Sequence, residues 1–287
     1  CECTIGGISM IKEKYVKMLK EVSINIVQTK IESVRKKDIT KRGFRVYKDG
    51  YIGVGGAVGE VDEGQLEKRA MDNLKLKIPY PYEPSKELVK EVDYREETLS
   101  EEEFVNEGEE LLSILREDFP EFIFSNKIYL TEMETRLTND VGLDLVHKDR
   151  VVTAGLLIKE NTSVNVIDAF VMYADRNYNR TKLLEIIRET LAAYKNPVKL
   201  PYEGKMPVIF MDKDIMPLSK IIEELNGYKV STGASLFKDL IGDKKFNENF
   251  TLFQSAEKED LTSVEFFDAE GVVNKGFKYP LIEKGRL

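Results

Sequence analysis

The chain is 287 residues long, with 43 lysines and arginines against 51 aspartates and glutamates, one histidine, two cysteines and no tryptophan. At a net charge of −8, 42% hydrophobic and 33% charged, it has room for two ordinary domains and the composition of a soluble protein. One imidazole and two thiols at Cys1 and Cys3 cannot assemble a four-ligand structural zinc or a disulfide framework, so the expected compartment is a reducing cytoplasm.

Residues 1–9 have neither the charged nor the apolar region of a secretory signal; they read as an unstructured leader, with Met10 as the natural start. Apolar residues at Tyr15, Val16, Leu19 and Val22 suit an amphipathic helix over Lys12–Val22. From Ser23 the period becomes two, and Ile24 to Val34 reads as one long strand. Phe44–Lys48 and Tyr51–Val54 flank Asp49-Gly50, a two-residue hairpin loop whose positions both demand positive φ. The glycine-rich run Gly53–Gly59 lacks the Gly-Lys-Ser/Thr ending of a phosphate loop and reads as a permissive linker after a strand ending at Gly55-Gly56.

Asp62 caps a predicted helix to about Lys75, and Ile78–Pro84, with three prolines, must be an extended connector. Ser100 and Glu103 form a capping box opening a helix to Asp118. A strand meander follows: Phe122–Thr138, the turn Asn139-Asp140-Val141-Gly142, Leu143–His147, Arg150–Ile158 and Val164–Tyr173, with Asp149 as a break. The longest apolar run, Val151–Ile158, is strand length and far short of the roughly 20 residues that span a bilayer. Asn179 caps a helix to about Tyr194. A linker at Lys199–Met206 precedes a strand at Pro207–Met211, helices at Pro217–Leu225 and Ser235–Ile241, and strands from Phe250 onward.

These elements give an α+β fold: a leader over 1–9, a mixed α/β N-terminal region over 10–200, and over 201–287 the start of a β-rich, largely antiparallel domain with peripheral helices. The final residues, Leu281–Leu287, read as a strand, a turn and the first residues of a returning strand. That strand would leave backbone groups unpaired, so a longer protein is expected.

Chemistry is sparse. His147 reads as a half-exposed strand residue, and the carboxylate pairs Glu132/Glu134 and Asp212/Asp214 have no readable geometry. Residues 1–50 carry 12 basic and 6 acidic side chains, whereas 83–121 carry 4 basic and 15 acidic. The cluster Arg35, Lys36, Lys37, Lys41, Arg42 and Arg45 could contact phosphates, but a solvated strand face in an acidic chain is the better reading, and nucleic acid is not the expected partner.

Several segments in preserved order resemble the TldD/PmbA family, known as modulators of DNA gyrase and as a peptide-processing protease system. They are Gly43–Gly53 around Arg45, Asp49 and Gly50; Asn139–Leu143 around Asn139 and Gly142; Lys195–Val198 through Pro207–Phe210; Ser235–Gly242; and Asp268–Gly271 with Leu281–Leu287. The resemblance implies a dimeric metallopeptidase system of two related subunits. In the TldD-like subunit a helix carries His-Glu-x-x-x-His, two imidazoles one turn apart on one metal with a glutamate to activate water. The corresponding helix here, Pro217–Leu225, has Glu223 and Glu224 but no histidine, and both carboxylates read as a solvated face. The resemblance is therefore to the PmbA-like branch: no catalytic or metal residue in this chain, zinc only in a TldD-like partner, a homodimer or a heterodimer with that partner, and an extended peptide as substrate. The alternatives are a divergent hydrolase binding a hard cation through Asp212 and Asp214, or a DNA gyrase-associated modulator.

Overall fold

A computed structural model of the chain describes residues 10–95, 99–199, 204, 205, 207, 216–260 and 264–287. Two compact units emerge: Cys1–Pro197 with Ser263–Val273, and Val198–Thr262 with Asn274–Leu287. The segment 263–273, which the sequence division places in the C-terminal domain, belongs to the first unit.

The first unit is built on one large sheet. Its strands are β1 (Ile11–Val27), β2 (Lys30–Lys48), β3 (Tyr51–Val58), β4 (Ile78–Pro79), β5 (Leu88–Asp93), β6 (Phe122–Asn139), β7 (Leu143–Glu160) and β8 (Ala169–Asp175). Their order is β4-β3-β2-β1-β6-β7-β5, with β8 also paired to β7. All pairings are antiparallel except β5 on the first half of β7. The helices α1 (Glu63–Asn73), α2 (Glu101–Asp118) and α3 (Arg180–Lys195) complete it. This is the expected α+β class.

The predicted helix over Lys12–Val22 is instead the first part of β1, hydrogen-bonded along its length to β2 and β6. Most of this stretch is half-buried on both faces, with lysine stems and apolar side chains mixed, so period-two alternation never develops. Non-local pairing decides the strand, and local spacing cannot show it. The single strand predicted over Ile24–Val34 is a hairpin, because Gln28 and Thr29 adopt φ of 49° and 57° and turn β1 into β2. Likewise Leu143–His147 and Arg150–Ile158 are one strand, β7, with Asp149 buried inside it.

Three caps are read correctly. Asp62 accepts from Gln65 N–H, Ser100 and Glu103 make the reciprocal capping box, and Asn179 accepts from Lys182 N–H. The main core lies where α2 and α3 cover the sheet, with Phe104, Leu111, Leu112, Leu115, Leu183 and Ile187 against Ile24, Phe124, Leu156 and Ile158. A smaller cluster joins Leu66 and Ala70 of α1 to Phe44 and Val46. Here the glycine run has its role. Rather than a linker it is strand β3, and a Cβ on Gly53 would stand 2.1 Å from Ala70 O, one on Gly55 2.6 Å from Leu66 O. The glycines let α1 lie directly on the sheet backbone.

In the first unit the segment 264–273 packs on the same sheet. Phe266 and Phe267 are buried, and Glu265 Oε1 accepts from Lys17 Nζ at 2.7 Å and Thr135 Oγ1 at 2.9 Å. The predicted turn Asp268–Gly271 is present, closed by Gly271 N–H to Asp268 O.

The second unit contains α4 (Met216–Glu224), α5 (Gly227–Ser231), β9 (Leu252–Ser255) and β10 (Lys278–Ile282). The strand expected at Pro207–Met211 lies outside the described residues but for Pro207. Ser235–Ile241 is a run of turns instead of a helix, held by three-residue hydrogen bonds such as Leu240 N–H to Phe237 O and flanked by Gly233 and Gly242 at positive φ. At the end of the chain Leu287 donates to Asp243 O and accepts from Gly242 N–H, so these backbone groups, expected to lack partners, have them.

Candidate functional site

The antiparallel registers bring the two signature turns to one end of the first unit's sheet. Strand β1 pairs Ile11 with Tyr47 on one side and Glu13 with Asn139 on the other. The Asp49-Gly50 loop (φ 53° and 76°) and the Asn139–Gly142 turn are therefore neighbours across β1. The second turn is tied to β1 by Lys12 N–H donating to Asp140 Oδ1, and Asp140 N–H to Lys12 O, both at 3.1 Å.

Asn139 organises its turn. Its Oδ1 accepts from Val141 N–H and Leu143 N–H, and its Nδ2 donates to Ser85 O at 2.7 Å. Gly142 has φ of 88°, a left-handed conformation that glycine adopts without Cβ strain. Val141 O and Gly142 O then accept from Glu87 N–H and Leu88 N–H, which starts β5 alongside β7.

Arg45 and Glu13 form the buried centre of this end. Arg45 Nη1 donates to Glu13 Oε1 at 2.9 Å and to Ala269 O at 2.6 Å, while Tyr47 Oη donates to the same Glu13 oxygen at 2.9 Å. Glu13 is 1% exposed, and burial holds its carboxyl above the ordinary range against the opposing pull of Tyr47, Arg45 and Asn139.

In front of the loops lies a cavity of about 340 Å³ lined by Tyr47, Asp49, Gly50, Tyr51, Tyr80 and Tyr82, among others. The proline-rich connector supplies two of those tyrosines, anchored by Tyr80 N–H on Gly50 O at 2.7 Å. The rings form a ladder, Tyr47–Tyr80 centroids 5.0 Å apart and Tyr80–Tyr82 5.6 Å. Thus Arg45, Asp49, Gly50, Asn139 and Gly142 converge on one end of the sheet. The sequence reading missed Glu13, Tyr47, Tyr80 and Tyr82. The alternating Pro-Tyr-Pro-Tyr was the available signal for the last two; Glu13 was hidden by the mistaken helix.

His147 corrects another expectation. It is fully buried on β7, opposite Thr135, with its ring edge-on to Tyr94 at 5.3 Å and 6.0 Å from Phe266. Neither ring nitrogen has a hydrogen-bond partner among the described residues. Burial pushes the imidazole below its usual value, outweighing Asp149 and Glu265. Beside it Arg176 donates from Nε and Nη2 to Asp149 at 2.7 and 2.8 Å, a bidentate pair with both side chains 4% exposed.

The remaining candidates are separated. Glu132 faces Arg95 at 3.7 Å and Arg150 at 3.8 Å. Asp212 and Asp214 lie outside the described residues. In the basic cluster Lys36, Lys37 and Arg45 are paired with Glu101, Glu21 and Glu13. On α4, Glu223 is exposed, but Glu224 is buried rather than solvated. It accepts from Lys220 and Lys229 and from Leu236 N–H, contacts that pull its carboxyl down to about 2, Lys220 foremost. Among the described residues no three His, Cys, Asp or Glu side chains gather as a cation site, and no helix is long and apolar enough to cross a membrane.

Residues 203–287 match the sequence model of the PmbA/TldA metallopeptidase C-terminal domain. No curated protein matches. Among solved structures, the chain is similar to a Thermotoga maritima protein that bears the name modulator of a DNA gyrase, at 17% identity and a TM-score of 0.75, over 97% of this chain and 66% of that one. It is similar to TldE from Thermococcus kodakarensis at 19% identity and a TM-score of 0.72, over 96% and 65%. A Bacteroides thetaiotaomicron protein named for modulation of DNA gyrase gives 14% identity and a TM-score of 0.65, over 98% and 67%. The chain spans about two thirds of the length of these structures.

Proposed function

We propose that the chain is a PmbA-like, non-catalytic subunit of a metallopeptidase system that acts on small peptides, a reading supported by the match of residues 203–287 to the PmbA/TldA metallopeptidase C-terminal domain. The observation that carries this reading is the fate of its metal-chemistry residues. A catalytic zinc needs open coordination by imidazole and carboxylate, yet the one histidine of the chain is enclosed by Tyr94 and Phe266 on β7. Helix α4 has no imidazole, and its two carboxylates are held by Lys220 and Lys229. These residues do not fit a catalytic zinc, which supports a reading in which a TldD-like partner, paired with this chain, carries the metal.

Its contribution is peptide handling. The sheet of the first unit has edges at β4 on one side and at β5 and β8 on the other, and an extended peptide can add a strand to such an edge through main-chain hydrogen bonds. The test is expression with a subunit carrying His-Glu-x-x-x-His. The two are expected to copurify, with zinc in the partner and cleavage of an unstructured peptide only when the partner is present. Stoichiometric zinc in the purified chain together with cleavage by it alone would overturn the reading.

A further inference from the structure

We propose that the tyrosine-lined cavity at the Asp49-Gly50 end of the sheet is a subsite for a prolyl residue of an extended peptide. The proposal deepens the peptide-handling role and rests on it.

The size comes first. About 340 Å³ lies at the small end of ligand cavities, which run from about 300 to 1,000 Å³. It suits one compact ring with its adjoining peptide units. Part of the wall is held in place before any ligand arrives. Pro79, Pro81 and Pro84 each fix their own φ, and Tyr80 N–H is tied to Gly50 O. Tyr47 is held through its hydroxyl by Glu13. Tyrosine offers large contact area at the entropy cost of only two side-chain torsions. Tyr47 and Tyr80, their ring centroids 5.0 Å apart, therefore need little ordering when they take a ligand.

Charge narrows the choice. Lys48 stands beside Asp49, and Glu83 is paired with Lys86 at 3.0 Å. Among the lining side chains the two positive and two negative charges cancel, so the lining itself offers no net charge with which to select a charged side chain. A neutral ring is the matching occupant. Proline meets the polar requirement as well: it carries no N–H, so pressing it against ring faces strands no backbone donor. The carbonyl before it can accept from the hydroxyl of Tyr82, which is 71% exposed. A prolyl peptide is also already extended, so it loses less conformational freedom on binding than other sequences, the reason aromatic-lined grooves take proline-rich segments.

The test uses three fluorescein-labelled ten-residue peptides, identical but for proline, alanine or phenylalanine at the centre. Anisotropy is measured on the full chain and on its Tyr80→Ala, Tyr82→Ala and Tyr82→Phe forms. The proline peptide is expected to bind about tenfold tighter than the alanine peptide, the scale of one small apolar group in a pocket. Tyr80→Ala and Tyr82→Ala should abolish that preference, and Tyr82→Phe should retain most of it. Because Tyr82 is exposed, its variants test the subsite without threatening the fold. Equal affinity for all three peptides, a preference for phenylalanine, or a proline preference untouched by both alanine variants would overturn the proposal. If the metal-bearing partner copurifies but no peptide shows the preference, the subsite fails while the subunit reading stands. If the tyrosine-dependent preference is seen but no metal-bearing partner copurifies, the subsite stands while the subunit reading fails.

Discussion

Replacing Arg176 by methionine tests how the middle of the sheet is held. Asp149 interrupts an apolar strand, and Arg176 neutralises it through two hydrogen bonds of 2.7 and 2.8 Å. The guanidinium also lies over the Tyr94 ring at 5.0 Å. With both side chains 4% exposed, water cannot replace the lost partner, and the Arg150 N–H that Asp149 also accepts is not enough to solvate a carboxylate. Breaking one side of a buried pair costs about 3–5 kcal/mol. At roughly 2–4 °C per kcal/mol for a unit of this size, the melting temperature should fall by about 6–20 °C. The double variant Asp149→Leu/Arg176→Met removes the stranded charge and should recover most of that loss. Urea unfolding gives the free energies and thermal melts the temperatures, both followed by far-ultraviolet circular dichroism. A loss below about 1 kcal/mol in Arg176→Met, or a double variant as unstable as the single one, would refute the reasoning.

His147 predicts acid sensitivity. Its imidazole is held below its ordinary value in the folded state, so the unfolded chain binds the proton first. Stability from this group is complete above about pH 6.5 and declines below it, by up to about 1.4 kcal/mol per pH unit until the folded value is reached. Phe in place of His147 should flatten that slope in urea midpoints measured from pH 8 to 5; an unchanged slope would show that other groups carry it. Gly53→Ala and Gly55→Ala should each cost about 1–3 kcal/mol by lifting α1 from the sheet, whereas Gly56→Ala, with its nearest atom at 3.7 Å, should come close to wild type in thermal melts. Ser100→Ala removes one half of the capping box of α2 and should cost about 1 kcal/mol; hydrogen exchange at Glu103 and Phe104 would report the fraying, and unchanged protection would count against it.

The sequence alone determined whatever depends on neighbours along the chain. Asp49-Gly50 needed only local φ preferences, and the caps at Asp62, Ser100 and Asn179 needed only a side-chain oxygen within three residues of a free N–H. It also settled that the helix over Pro217–Leu225 carries no histidine. Tertiary structure decided the rest, because the deciding partners are remote in sequence. Strand β1 is a strand through its pairing with β2 and β6, the glycines of β3 are spacers because a helix lies on them, and Asp149 is buried because Arg176 answers it. The cavity follows the same rule. Asp49, Gly50, Asn139 and Gly142 were legible as turn residues and Arg45 as a strand residue beside one of them, but Glu13 and the tyrosine ladder met them only when the registers brought residues 11, 47, 80 and 139 to one end of a sheet.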